Sequence, residues 1–107
     1  MKLIFAIVNH DDSNTVAKAL RENSFSATKL ATTGGFLMRG NVTFIIGTDD
    51  DKVDTVIKII SDHSKERKEV VPATASYGMG VYNPYPVEVT VGGATIFVTN
   101  VEKFEKV

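Results

Sequence analysis

Lys2-Leu3-Ile4-Phe5-Ala6-Ile7-Val8 and Asn41-Val42-Thr43-Phe44-Ile45-Ile46-Gly47 are the two stretches on which the fold turns. Side chains along a strand alternate between its faces. In the first stretch Leu3, Phe5 and Ile7 point one way and Ile4, Ala6 and Val8 the other; in the second, Val42, Phe44 and Ile46 oppose Thr43 and Ile45. Both strands are apolar on both sides, so each side needs a cover. The first run passes directly into Asn9-His10-Asp11-Asp12 without a small-residue cleavage site. It therefore reads as a strand and not as a signal peptide.

Around these strands the chain alternates its periods. Asn9–Asn14 is polar and turn-rich, and Asp12 or Ser13 is the expected N-cap of a helix carrying Val16, Ala19 and Leu20 inward, ending near Asn23. Phe25–Thr32 reads as a second strand, and Thr33–Gly40, with three Gly, as a loop. After Asn41–Gly47, Thr48-Asp49-Asp50-Asp51 has the Thr-x-x-Asp form of a capped helix start. Val53, Val56, Ile57 and Ile60 give the stripe of a helix ending near Ser64. A strand is expected at Glu69–Val71, then a long Gly/Pro/Tyr/Asn loop over Pro72–Pro86. Val87–Val91, a Gly92-Gly93 turn and Ala94–Thr99 suggest a closing hairpin, with one helical turn expected in Val101–Val107.

The order is βαβ-βαβ with a C-terminal hairpin, an α+β fold in one domain over residues 1–107. Two helices cover one face of a four-stranded antiparallel sheet. The second apolar face would be a patch that monomers rarely tolerate. A closed ring of subunits, sheets inward and clefts between neighbours, is the expected solution.

With 107 residues and 43% hydrophobic content, the chain can bury roughly 65% of its unfolded surface in one modest core. A net charge of −1 gives no electrostatic reason to expect nucleic acid or a membrane surface. No Cys is present, which excludes disulfides, thiol catalysis and Cys-ligated metals, and His10 and His63 are too few for an all-imidazole site. No apolar run is long enough to span a bilayer. The expectation is a cytoplasmic protein.

Few residues announce chemistry. Asp49-Asp50-Asp51 could hold magnesium, but acids at a helix start ordinarily complement the dipole. His10 beside Asp11 and Asp12 is the pattern of a solvated turn, and His63 near a helix C-terminus is a structural cation. No phosphate loop of the Walker kind and no dinucleotide fingerprint occurs. Thr32-Thr33-Gly34-Gly35-Phe36-Leu37 places hydroxyls and bare amides beside an aromatic ring, and Gly92-Gly93-Ala94-Thr95-Ile96-Phe97 repeats the theme. Each is either a ligand platform or a plain turn with its Phe in the core.

The run Lys29-Leu30-Ala31-Thr32-Thr33-Gly34-Gly35-Phe36-Leu37, with Gly40-Asn41, Thr43-Phe44, Gly47, Pro84-Tyr85-Pro86-Val87-Glu88-Val89, Val91-Gly92-Gly93-Ala94-Thr95 and Phe97-Val98, resembles the PII-like cyclic di-AMP receptor family of Firmicutes. The likeness runs nearly end to end. It implies a ferredoxin-like fold, a homotrimer, nucleotide sites at subunit interfaces, two loops (33–40 and 72–86) that read out the ligand, and a regulator without catalytic residues, cofactor or metal. The matching ligand-contacting positions are Thr28, Gly35, Phe36, Leu37, Asn41, Gly47 and Phe97. The implied ligand is cyclic di-AMP; Tyr77, Tyr82 and Tyr85 read either as a surface for an unidentified downstream protein or as ordinary loop packing. Where the family's binders usually carry Asn and Arg before the Thr, this chain has Ser24 and Ser26, and Lys106 replaces a Gln in the tail. The alternative is a sibling that lost cyclic di-AMP and senses another adenine nucleotide or only a protein.

Overall fold

In the first strand, β1 (Lys2–Asn9), burial follows the alternation: Ile4, Ala6 and Val8 are shut away from solvent while Leu3, Phe5 and Ile7 are half-buried. The computed structural model describes residues 1–30, 40–71 and 87–107. β1 passes without a loop into α1 (His10–Glu22), because Asn9 ends the strand and also caps the helix; its side chain accepts from the Asp11 amide at 2.8 Å. The cap is thus three or four residues earlier than the expected Asp12 or Ser13. Those two lie within the first turn and are buried, the Ser13 hydroxyl donating to the His10 carbonyl at 2.8 Å.

α1 ends near Asn23 as its pattern requires. The Ser24 amide donates to the Arg21 carbonyl at 3.0 Å and the Phe25 amide to the Leu20 carbonyl at 2.9 Å. Ser24 has φ +66°. Together these make a Schellman close, usually built on Gly or Asn. Because Phe25 completes that motif, β2 begins only at Ala27 and runs to Leu30; positions 31 and 32 of the expected strand lie outside the described residues.

β3 (Asn41–Thr48) buries Val42, Phe44, Ile46 and Thr48. The expected Thr48 capping box does not form. A short 3-10 turn, Asp50–Lys52, precedes α2 (Val53–Asp62), and neither start carries a side-chain cap bond. Asp50 is held instead by the Met1 ammonium at 2.9 Å, a partner no local pattern reveals. Val56 and Ile60 of α2 are fully buried, with Val53 and Ile59 against the same core.

The sheet order is β2-β3-β1-β6, where β6 is Ala94–Asn100, and every pairing is antiparallel. Both helices lie on the face that carries Ile4, Ala6, Val8, Val42, Phe44 and Ile46; Val16 and Leu20 of α1 join Val56 and Ile60 there. Burying each of these side chains other than Ala6 contributes roughly 1.5–3 kcal/mol. This is the mixed, ferredoxin-like α+β fold expected from the resemblance.

The closing hairpin is corrected. β4 (Arg67–Val71) pairs with β5 (Val87–Val91) in a separate two-stranded ribbon, while β6 pairs with β1, Phe97 opposite Phe5. Gly92 and Gly93 have φ +85° and +84°, and the Gly93 amide donates to the Ser64 carbonyl. These positive φ values turn the chain away from β5 and toward the open edge of β1, where an apolar strand would otherwise lack a partner. The tail 101–107 holds no helical turn; the Val101 amide bonds the Met1 carbonyl at 3.2 Å.

Candidate functional site

Cross-strand partners share a face of a sheet. Thr28 opposes Ile45, Ile45 opposes Phe5 and Phe5 opposes Phe97, so one rung runs Thr28–Ile45–Phe5–Phe97 across all four strands. It lies on the side away from the helices. Gly47, opposite Leu3, and Asn41, opposite Asn9, share that side by the same register. Every described residue that the resemblance nominates therefore sits on the open face. Gly35, Phe36 and Leu37 lie outside the described residues, as do nearly all of loop 33–40, the whole of loop 72–86, and Tyr77, Tyr82 and Tyr85.

One chain does not gather these residues into a pocket. Thr28 and Phe97 are three strand spacings apart, roughly 14 Å, and Asn41 and Gly47 are six residues apart along β3, roughly 20 Å. Phe97 is 57% exposed, and Leu30 on the same face is 40% exposed. Phe97 is thus not folded into the core, which settles one of the two readings left open for it.

Two clefts lie near the two ends of β3, one beside Gly47 and the other beside Asn41. The first, about 500 Å³, is lined by Ser24, Ser26, Gly47, Asp49, Lys52 and Thr55 among others. A Cβ at Gly47 would meet nothing within 4 Å, so the strand backbone itself is accessible there. Ser24 and Ser26, the two departures expected from the resemblance, both stand on this wall. Lys52 and Asp49 add opposite charges to the rim, and the Lys52 ammonium forms no ion pair among the described residues. Such a wall suits a ligand with an anionic group and hydrogen-bonding edges. Sequence reading missed Lys52 and Thr55 because they belong to α2 and its lead-in turn, and only the tertiary fold carries them beside the end of α1.

The second cleft, about 270 Å³, joins Asn41 and Ile7 to Glu66, Gly92, Gly93, Ala94 and Thr95. Here Arg67 matters, another residue missed in sequence. Its guanidinium grips the Asp12 carboxylate through two contacts, 3.0 and 3.3 Å. That bond holds the Arg67 pKa above its ordinary value, and Glu69 assists.

The other candidates have local roles. His10 Nδ1 is 3.8 Å from Asp11 with both side chains exposed, a solvated pair. His63 Nδ1 lies 2.8 Å from the Ile59 carbonyl at the end of α2, a structural contact. The Asp50 carboxyl sits below the usual range, first because the N-terminal ammonium bonds it and then through the charges of that ammonium and Lys2.

A family model described as cyclic-di-AMP receptor matches residues 1–107. The chain is also similar to a solved structure, described as a functionally unknown protein from Pediococcus pentosaceus ATCC 25745. The two are 40% identical with a TM-score of 0.75, covering 99% of this chain and 96% of that one.

Proposed function

This chain belongs to the cyclic-di-AMP receptor family, and from that premise we propose that it is a non-catalytic homotrimeric PII-like sensor holding cyclic di-AMP in clefts shared by neighbouring subunits. The observation that carries the reading is the open sheet face. Leu3, Phe5, Ile7 and Ile45 lie half-buried there beside the exposed Phe97, on the side away from both helices. Sister chains placed over this face would bury it and bring Phe97 and Asn41 of one subunit toward residues of the next, which a lone chain keeps too far apart. Bound nucleotide would then act on a downstream protein through the segments 33–40 and 72–86. The reading places the protein in the cytoplasm; no helix among the described residues is long and apolar enough to cross a membrane.

A second reading has its own observation. The wall of the larger cleft presents Ser24 and Ser26, and a lost charged hydrogen bond costs about 1.5–3 kcal/mol, one to two decades of affinity. This favours a sibling that takes another adenine nucleotide or only a protein. Light scattering on the eluting protein, expected to give three chain masses, tests the assembly. Calorimetric titration with cyclic di-AMP, ATP, ADP and AMP separates the two readings. Heat with the cyclic dinucleotide alone supports the first; silence at tens of micromolar with heat from another nucleotide supports the second.

A further inference from the structure

The ribbon β4–β5 is hydrogen-bonded to neither neighbour strand of the main sheet, and a two-stranded ribbon by itself is marginal in water. Among the described residues, its polar contacts with the body lie at its root. Asp12, in the first turn of α1, has a side chain only 11% exposed and is paired with Arg67, the first residue of β4. A carboxylate so withdrawn from water is strongly unfavourable without its partner. Arg67 also donates to the Lys65 carbonyl at 3.2 Å, and the Gly93 amide, in the turn just past β5, donates to the Ser64 carbonyl. Gly92 completes the fit: a Cβ there would lie 2.6 Å from Arg67 Nη1 and 2.6 Å from the Lys65 oxygen, in a backbone already at φ +85°. The root is built around the ion pair, with room for no side chain beside it.

Two further contacts join this root to the site. Gly92 and Gly93 form a wall of the cleft that contains Asn41. The same first turn of α1 accepts the chain returning to β3, since the His10 amide donates to the Gly40 carbonyl at 3.0 Å. We infer that Asp12 and Arg67 are positioning residues: their pair sets the Gly92-Gly93 wall against Asn41 and couples occupancy of that cleft to the ribbon. The inference rests on the reading that Asn41 contacts the nucleotide.

Amide hydrogen exchange on the full chain, free and with cyclic di-AMP, tests it in Asp12→Asn, Arg67→Gln and the double variant. In the free protein each single change is expected to speed exchange at Gly93 and along β4–β5 about tenfold, the loss of one charged hydrogen bond. The double variant should be no faster, and β1 and β3 should be unchanged. With ligand, the wild type should gain protection in the ribbon; both single variants should lose that gain and bind about tenfold more weakly. Additive effects, or a ribbon indifferent to both changes, would overturn the clamp. Faster exchange with wild-type affinity and wild-type ligand protection would overturn its link to the cleft. A wild type that takes up no cyclic di-AMP would instead sink the ligand reading, and the free-state comparison would still decide the clamp. Arg67→Gln alters the more exposed partner and keeps the test alive should Asp12→Asn fail to fold.

Discussion

Ser24 carries two burdens that sequence reading had merged into one. It stands on the wall of the larger cleft, and it closes α1 with φ +66°. The left-handed region disfavours side chains by roughly 1–2 kcal/mol, Gly excepted and Asn partly so. Position 24 therefore has a backbone preference for Gly or Asn apart from any ligand. Wild-type Ser24 already carries that cost, so urea midpoints should rank Ser24→Gly above wild type and the β-branched Ser24→Val below it; the reverse order would mean that the turn is not set by its helix end. Phe97 is the contrasting case, an aromatic ring left open on its strand. Phe97→Ala should leave the subunit fold intact by circular dichroism and weaken nucleotide binding roughly 5- to 150-fold, the value of one stacked base. Calorimetry on the two proteins measures it.

The first helix shows how one turn serves several elements. Asn9 ends a strand and caps the helix, so β1 and α1 meet at a single residue. Asn9→Ala should cost about 1 kcal/mol in denaturant unfolding, the usual worth of such a cap. At the start of α2 the tether is electrostatic. The Asp50 carboxyl is held below its ordinary range by the N-terminal ammonium. A depressed folded value means that its stabilising effect is whole above the ordinary carboxylate range and disappears as pH falls through the folded value. Protection from exchange at the β1–β6 end near Met1, taken relative to the intrinsic rate at each pH, should therefore fall at strongly acidic pH in wild type, and Asp50→Asn should show that lower protection already at neutral pH.

For the whole molecule, the decisive feature is a sheet that, among the described residues, is roofed by helices on one side only. The alternation in Lys2–Val8 and Asn41–Gly47 already demanded two covers, and the helices supply one of them. Ile45 lies at the centre of the open rung, between Thr28 and Phe5. Ile45→Lys would place a charge where sister chains are proposed to meet, while its side chain faces away from the helical core. The expected product is a folded monomer by light scattering with wild-type circular dichroism; a trimer of unchanged stability would show that this face is not the interface. The nominated site was legible only in part. The Gly-rich runs and Phe97 stand out by composition, whereas Arg67, Lys52 and Thr55 do not, because a charged or hydroxyl side chain on a helix or strand looks like any other solvated surface until its neighbours are known.

What this sequence determined by itself was local in origin: two strands apolar on both faces, two helices with one inward stripe each, and hence a sheet with a face to spare. Those features follow from periods of 2 and 3.6 within a few residues, and no distant contact is needed to see them. The tertiary structure alone decided that β5 leaves the expected hairpin for β4, that β6 takes the free edge of β1, and that Asp12 finds Arg67. Each of these pairings brings together segments whose own patterns would accept several partners. The choice falls to the packing of the complete sheet and to the two glycines whose positive φ turns the chain at the ribbon's root.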